Sequence, residues 1–246
     1  MVEFAQKVDY SMPRQCGIFP PPPIEYKNVR ALGIILQCEL NAKKKFLPPE
    51  LEPIKNGIDG LFILEYPDTT IGSYNEMLIG LNCKYKGKPG SFVCNIYVDD
   101  DVALTAGREI YGFPKKMCEI KLSPIHENRI RGTLTRKGIT FIDVEVQVAE
   151  PPKGMDPKSI LESMPIYNLK LIPDIADSSK PALRQITETN MKYGKFYKTL
   201  GVKVNYLKSE YSQFDICHEV LKDANKNIGG FYIEYDFTLP NGRVLE

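Results

Sequence analysis

The sequence predicts a mainly β protein, an antiparallel barrel or sandwich, and three observations carry that prediction. Alternating apolar and polar residues recur along the chain, short Gly- or Pro-containing turns separate those runs, and helix-like stretches are few and short. The 246 residues suit one large domain or two small ones. No linker divides them, since Glu150-Pro151-Pro152-Lys153-Gly154 has only the composition of a loop.

In chain order, Phe19 and the four prolines Pro20–Pro23 force an extended segment, the end of an arm over residues 1–25 that wraps the domain or a neighbouring subunit. Arg30–Leu40 (RALGIILQCEL) reads as a buried strand. Asn41–Phe46 makes a helical turn halted by Pro48-Pro49, and Lys43-Lys44-Lys45 within it reads as a solvated surface turn. Gly60–Tyr66 is the next strand. The clearest hairpin spans Glu76–Asp99: Met77, Ile79, Leu81 and Cys83 alternate with the other face, Phe92, Cys94, Ile96 and Val98 return, and Gly87-Lys88-Pro89-Gly90 turns the chain. A second hairpin, Arg129–Ala149, turns at Lys137-Gly138. Further β runs are Tyr167–Ile172, Ala182–Thr189 and Gly230–Leu239, with Gly229-Gly230 a turn or bulge. Short helices are predicted at Ala103–Tyr111, after the Asp156 cap with Pro157 at the first helical position, and at Tyr211–Lys222.

Composition excludes several function classes. Thirty-two Lys plus Arg against 31 Asp plus Glu leave a formal charge of +1, which argues against a nucleic-acid or anionic-membrane partner. With only His126 and His218, a His-ligated metal centre and a Ser-His or Cys-His nucleophile are disfavoured. The six cysteines form no C-x-x-C pair, and runs such as Phe92-Val93-Cys94-Asn95-Ile96 suggest reduced, buried thiols of a cytosolic protein. Met1–Tyr10 lacks the basic and apolar regions of a secretory leader, and no apolar run approaches the ~18 residues of a membrane span. Neither G-x-G-x-x-G nor a Walker pattern occurs, so no nucleotide cofactor is expected. The expectation is a soluble cytoplasmic protein without metal or cofactor.

Chemistry concentrates in Ala106–Lys116, A-G-R-E-I-Y-G-F-P-K-K. A lysine attacks a carbonyl only as the neutral amine, and burial or a second ammonium nearby disfavours the charged form. Two adjacent lysines in a largely apolar barrel supply both conditions, although Lys-Lys pairs also arise by chance in a lysine-rich chain.

The segment resembles the signature of the acetoacetate decarboxylase family, roughly A-x-G-R-E-x-x-x-[YF]-P-K-K. Gly107, Arg108, Glu109, Phe113, Pro114, Lys115 and Lys116 match, with Ala106 one place closer to the glycine. Ile71-Gly72-Ser73-Tyr74-Asn75-Glu76 resembles the family's [LI]-G-x-Y-x-E segment, and Asn28–Leu51 is more loosely similar. The likeness covers about residues 15 to 150 and implies one antiparallel β-barrel or cone over residues 1–246, assembling as a homo-oligomer.

The roles of the site residues are implied by the resemblance alone. Lys115 would form a Schiff base with a small keto acid, Lys116 would keep it neutral or position it, and Glu76 would be the active-site carboxylate. Tyr74 and Phe113 would contact substrate, while Arg108 and Glu109 would hold the lysine loop by an ion pair or backbone bonds. Two departures stand out. The family's carboxylate-binding arginine directly follows an Asn, whereas Val29 separates Asn28 from Arg30, and a one-residue shift in a strand turns a side chain to the other face. Arg30 is therefore a provisional anchor. The family's second acid falls on Leu61, with Glu65 the only acid nearby. The implied reaction is decarboxylation of a β-keto acid such as acetoacetate. The alternatives are an aldolase-dehydratase or cyclase on pyruvate-like keto acids, and a non-catalytic barrel that binds a small anion.

Overall fold

The computed structural model describes residues 11–13, 16–151 and 156–245. Met1–Tyr10 and part of the expected arm lie outside the described residues; residues 16–23 enter neither helix nor strand. The first strands are β1 (Ile24–Gln37), β2 (Leu51–Pro53), β3 (Asp59–Tyr66), β4 (Asp68–Thr69), β5 (Tyr74–Tyr85), β6 (Lys88–Val98) and β7 (Lys115–Met117). Then come β8 (Glu119–Leu122), β9 (Arg129–Arg136), β10 (Ile139–Ala149), β11 (Ile166–Pro173) and β12 (Pro181–Thr189). The last three are β13 (Lys192–Ser209), β14 (Asn225–Leu239) and β15 (Arg243–Leu245). Four short helices interrupt them: α1 (Leu40–Phe46), α2 (Asp101–Ala106), α3 (Pro157–Ser163) and α4 (Cys217–Leu221). Among the described residues no helix is long and apolar enough to cross a membrane.

All of these strands join one mainly antiparallel sheet with a main path β15-β12-β11-β6-β5-β3-β1-β14-β13-β10-β9-β8. Its ends do not pair, so the expected barrel or cone is an open sheet folded over itself. Gly132 on β9 lies so close to β3 that a Cβ there would collide with the Ile63 side chain, although several strands separate the two along the ladder. One core, with Leu32, Ile34, Ile63, Tyr97 and Leu134, fills the space this fold encloses. A second, richer in aromatics, gathers Tyr26, Tyr66, Tyr74, Phe113, Tyr235 and Phe237. Alternation along β1 and β3 sends successive residues to one core or the other.

Five of the cysteines are buried and all six are free thiols. Burial pushes the thiols of Cys38, Cys83, Cys118 and Cys217 up to about 12, so these residues act as small hydrophobes.

Four local expectations change. The first hairpin turns at Lys86-Gly87, both at positive φ (44° and 82°), the signature of a two-residue hairpin. Gly90, expected in that turn, lies within β6, where a Cβ would strike the Tyr167 ring of β11. The helix expected over Tyr211–Lys222 shrinks to α4, because the Ser212 and Asp215 side chains bend the preceding chain. Lys43 is 0% exposed rather than solvated: its Nζ lies 2.8 Å from Asp59 Oδ1 and donates to the Ile54 carbonyl at 3.1 Å. Asp59 also accepts from the backbone N–H groups of Cys38 and Asn82, which satisfies a charge that would otherwise be costly to bury.

Candidate active site

Local chain geometry places Lys115. The Asp100 side chain caps α2 by accepting from the Ala103 N–H at 2.7 Å. The helix then widens into a π-helical turn, Gly107–Tyr111, and stops at Gly112 with φ 77°. A side chain at Gly112 would meet the Lys170 backbone at 2.6–2.8 Å, so the left-handed stop and the tight packing both demand glycine. The chain leaves as β7, parallel to β6, with Lys115 beside Ile96 and Lys116 beside Tyr97.

Lys115 is 5% exposed, and its Nζ lies 2.8 Å from Glu76 Oε2. The other Glu76 oxygen accepts a hydrogen bond from the Tyr66 hydroxyl at 3.1 Å. The Tyr26 and Tyr74 hydroxyls are paired at 3.2 Å, and the Lys115 ammonium position is 5.5 Å from the Tyr74 ring centre and 5.8 Å from that of Phe113. Burial, reinforced by the Glu76 charge, holds the phenols of Tyr66, Tyr74 and Tyr235 far above the ordinary tyrosine value. They are therefore neutral and able to donate hydrogen bonds. Glu76 and Lys115 face a cavity of about 410 Å³ with mostly apolar walls.

The structure separates the two lysines. Adjacent strand residues point to opposite faces, and Lys116 turns to the face opposite Lys115, where it is partly exposed, its ammonium binds the Phe214 carbonyl and it lies 3.4 Å from Asp215 Oδ1. Lys116, expected to keep Lys115 neutral or to position it, thus has its ammonium on the other face of the strand from the Lys115 amine. Asp215 also accepts from the Tyr97 hydroxyl at 3.0 Å and from Arg136 at 3.2 Å. Burial pushes its carboxyl up, but the Tyr97 bond and the Lys116 and Arg136 charges outweigh burial and hold it below the ordinary value. A carboxyl depressed in the folded state stabilises fully above the unfolded value of ~3.9 and loses that contribution as pH falls through the lower folded value. Asp215→Asn should therefore lower Tm by roughly 4–10 °C at pH 7, from ~1.5–3 kcal/mol of charge-assisted bonding. Melting curves of both proteins between pH 7 and pH 2.5 should converge at the acid end.

Arg30 also leaves the site. A bulge between Tyr26 and Val29, with Asn28 at φ 55°, adjusts the register, yet Arg30 still shares a face with Leu32 rather than with Ala31. It pairs with Glu65 and donates to the Tyr232 hydroxyl at 3.1 Å and the Ser123 carbonyl at 3.0 Å, away from the cavity. Among the described residues the cavity walls contain no arginine, and Lys115 is their one cation.

Comparison with known proteins gives the family. The profile of the family described as acetoacetate decarboxylase matches residues 10–246. The chain belongs to that family. Acetoacetate decarboxylase 3 of Mesorhizobium japonicum is 31% identical over 170 residues, which cover 68% of this chain and 64%, less than two thirds, of that relative. The crystal structure of the acetoacetate decarboxylase of Legionella pneumophila superposes with a TM-score of 0.86 at 25% identity, covering 96% of this chain and 93% of that one. The enduracididine biosynthesis enzyme MppR, complexed with pyruvate, shares the fold at a TM-score of 0.81 and 20% identity, over 97% of this chain and 98% of its own.

Within the family signature, Arg108 Nη1 donates to the Lys115 carbonyl at 3.1 Å, tying the π-turn to β7, while Glu109 sits half-buried on that turn. On β3 the cavity meets Phe62, Leu64 and Tyr66, whereas Leu61 lies in the opposite core and Glu65 binds Arg30. The position expected for the second acid thus places no carboxylate near Lys115; Asp59 lines the remote end and is held by Lys43. Sequence reasoning missed Tyr26, Tyr66 and Asp215. Tyr66 carried a readable signal, since it ends the Gly60–Tyr66 strand in phase with Leu64.

Proposed function

We propose that this protein is a lyase that decarboxylates a β-keto acid through an imine on Lys115. The observation that carries the reading is the buried Lys115 amine 2.8 Å from the Glu76 carboxylate at the aromatic end of an apolar cavity. Glu76 takes a proton from Lys115, and the free amine attacks the keto carbon. Loss of water from the carbinolamine gives a protonated imine. The bond from the α-carbon to the carboxylate then breaks, carbon dioxide leaves, and the electron pair moves through the α-carbon onto the iminium nitrogen. Protonation of the resulting enamine carbon and addition of water release the ketone and regenerate the amine. Glu76 is placed to return the proton, with Tyr66 holding its other oxygen.

The cavity walls favour loss of the carboxylate over its retention. An α-keto acid in an aldol reaction keeps its carboxylate throughout and calls for a cationic partner, but Lys115 is the one cation among the described wall residues. A β-keto carboxylate beside Glu76 in apolar surroundings is poorly solvated, and departure as neutral carbon dioxide relieves that state. A simple anion-binding barrel is disfavoured because that single cation is already paired with Glu76.

Incubation with acetoacetate and sodium borohydride, followed by peptide mass mapping, tests the reading. A reduced adduct on Lys115 with carbon dioxide release is expected. An adduct with pyruvate and none with any β-keto acid would reassign the lysine to aldol chemistry.

A further inference from the structure

The cavity is much larger than acetoacetate requires. Its volume of about 410 Å³ falls in the range of roughly 300–1,000 Å³ typical of drug-sized ligands. It is also elongated along the strands. Leu64 pairs with Glu76 and Ile96 with Lys115, while the remote end is marked by Asp59 and Ser91 on the same two strands, β3 and β6. Five residues at about 3.3 Å each put that end about 16 Å from the catalytic pair. The catalytic end is closed by buried Tyr26, Tyr74 and Phe237. At the other end, next to Asp59, the wall residue Ile58 is 60% exposed and marks the mouth. Between the two run Phe62, Leu78, Val93, Leu161, Ile166 and Phe231.

We infer that the preferred substrate is a medium-chain β-keto acid of about eight to twelve carbons, whose alkyl tail fills this corridor while its keto carbon reaches Lys115. The inference rests on the imine reading and assigns its substrate class. An extended alkyl chain advances roughly 1.3 Å per carbon with C–C bonds of about 1.5 Å, so about a dozen carbons span the corridor. A four-carbon acid leaves most of the apolar wall facing water, whereas a tail removes that area from solvent. The mouth lies opposite the lysine, so such a molecule enters head first and its tail follows.

The test is a chain-length series of 3-oxo acids from four to fourteen carbons, scored by carbon dioxide release and by borohydride trapping at Lys115. Each buried methylene contributes about 0.8 kcal/mol, up to about fourfold in kcat/KM, so the ten-carbon acid should exceed acetoacetate by at least about 100-fold. The gain should stop once the tail passes Ile58. Leu161→Trp, which narrows the corridor between its two ends, should cut the ten-carbon to four-carbon ratio at least about tenfold. If kcat/KM is flat or falls from four to ten carbons while acetoacetate still traps on Lys115, the chain-length inference is overturned and the imine reading survives. If no 3-oxo acid of any length traps on Lys115, both fall together.

Discussion

Lys115→Ala is expected to lower kcat/KM by on the order of 10⁴-fold or more and to abolish borohydride trapping. Among the described residues no other lysine lines the cavity: Lys116 points to the opposite, partly exposed face, and Lys43 is fully buried against Asp59. The same substitution leaves Glu76 buried with the Tyr66 hydroxyl as its remaining side-chain partner among the described residues, and removing one partner of a buried ion pair costs about 3–5 kcal/mol. Loss of activity alone would therefore be ambiguous. The double variant Lys115→Met with Glu76→Gln separates the two effects, because it removes both charges and keeps an acceptor for Tyr66. Its Tm should return to near that of the parent while turnover and trapping stay absent. Measurable imine trapping in the stable double variant would sink the assignment of Lys115 as the nucleophile.

The fold and the two central residues were legible for different reasons. Hairpins such as Arg129–Ala149 announce themselves because residues that alternate in sequence must alternate between faces, and Lys137-Gly138 adopts the turn at φ 53° and 79°. Lys115 and Glu76 were legible through the family signature, and their 2.8 Å approach joins two motifs far apart in sequence. The direction in which side chains point was harder to read. β7 has three residues, too few to display a period, so nothing in the sequence says that Lys115 and Lys116 part company. Arg30 depends on a bulge at Asn28, and a single residue decides its face. Lys43 is buried because the Asp59 carboxylate arrives beneath α1 from a different strand, a tertiary event that a local lysine run does not encode. The 18-residue β13 escaped notice because exposed lysines and Gly194 and Gly201 break its alternation, and its pairing with β14 shifts register on either side of Phe196.

Gly107→Ala is expected to cost little stability but most of the activity. Gly107 has φ −60° and ψ −44°, which alanine adopts freely, and helical propensity favours alanine over glycine by about 0.5–1 kcal/mol. The obstacle is the Lys115 side chain itself, since a Cβ at Gly107 would lie 2.6 Å from both its Cδ and its Cε. A flexible lysine yields to such a contact more readily than backbone does, so the strain is relieved by moving the amine and the fold is spared. The amine must move away from its position 2.8 Å from Glu76, and a displacement of about 1 Å from reactive geometry costs on the order of 10²-fold in rate. Tm should therefore stay within about 3 °C of the parent, while kcat/KM falls about 100-fold and the rate of borohydride inactivation falls with it. A slow but complete reaction, with the adduct still on Lys115, would identify Gly107 as the residue that seats the nucleophile. Unchanged kcat/KM in a folded Gly107→Ala protein would mean that the lysine has room the geometry does not allow it. A large drop in Tm would mean that the π-turn, and not the lysine, absorbs the contact.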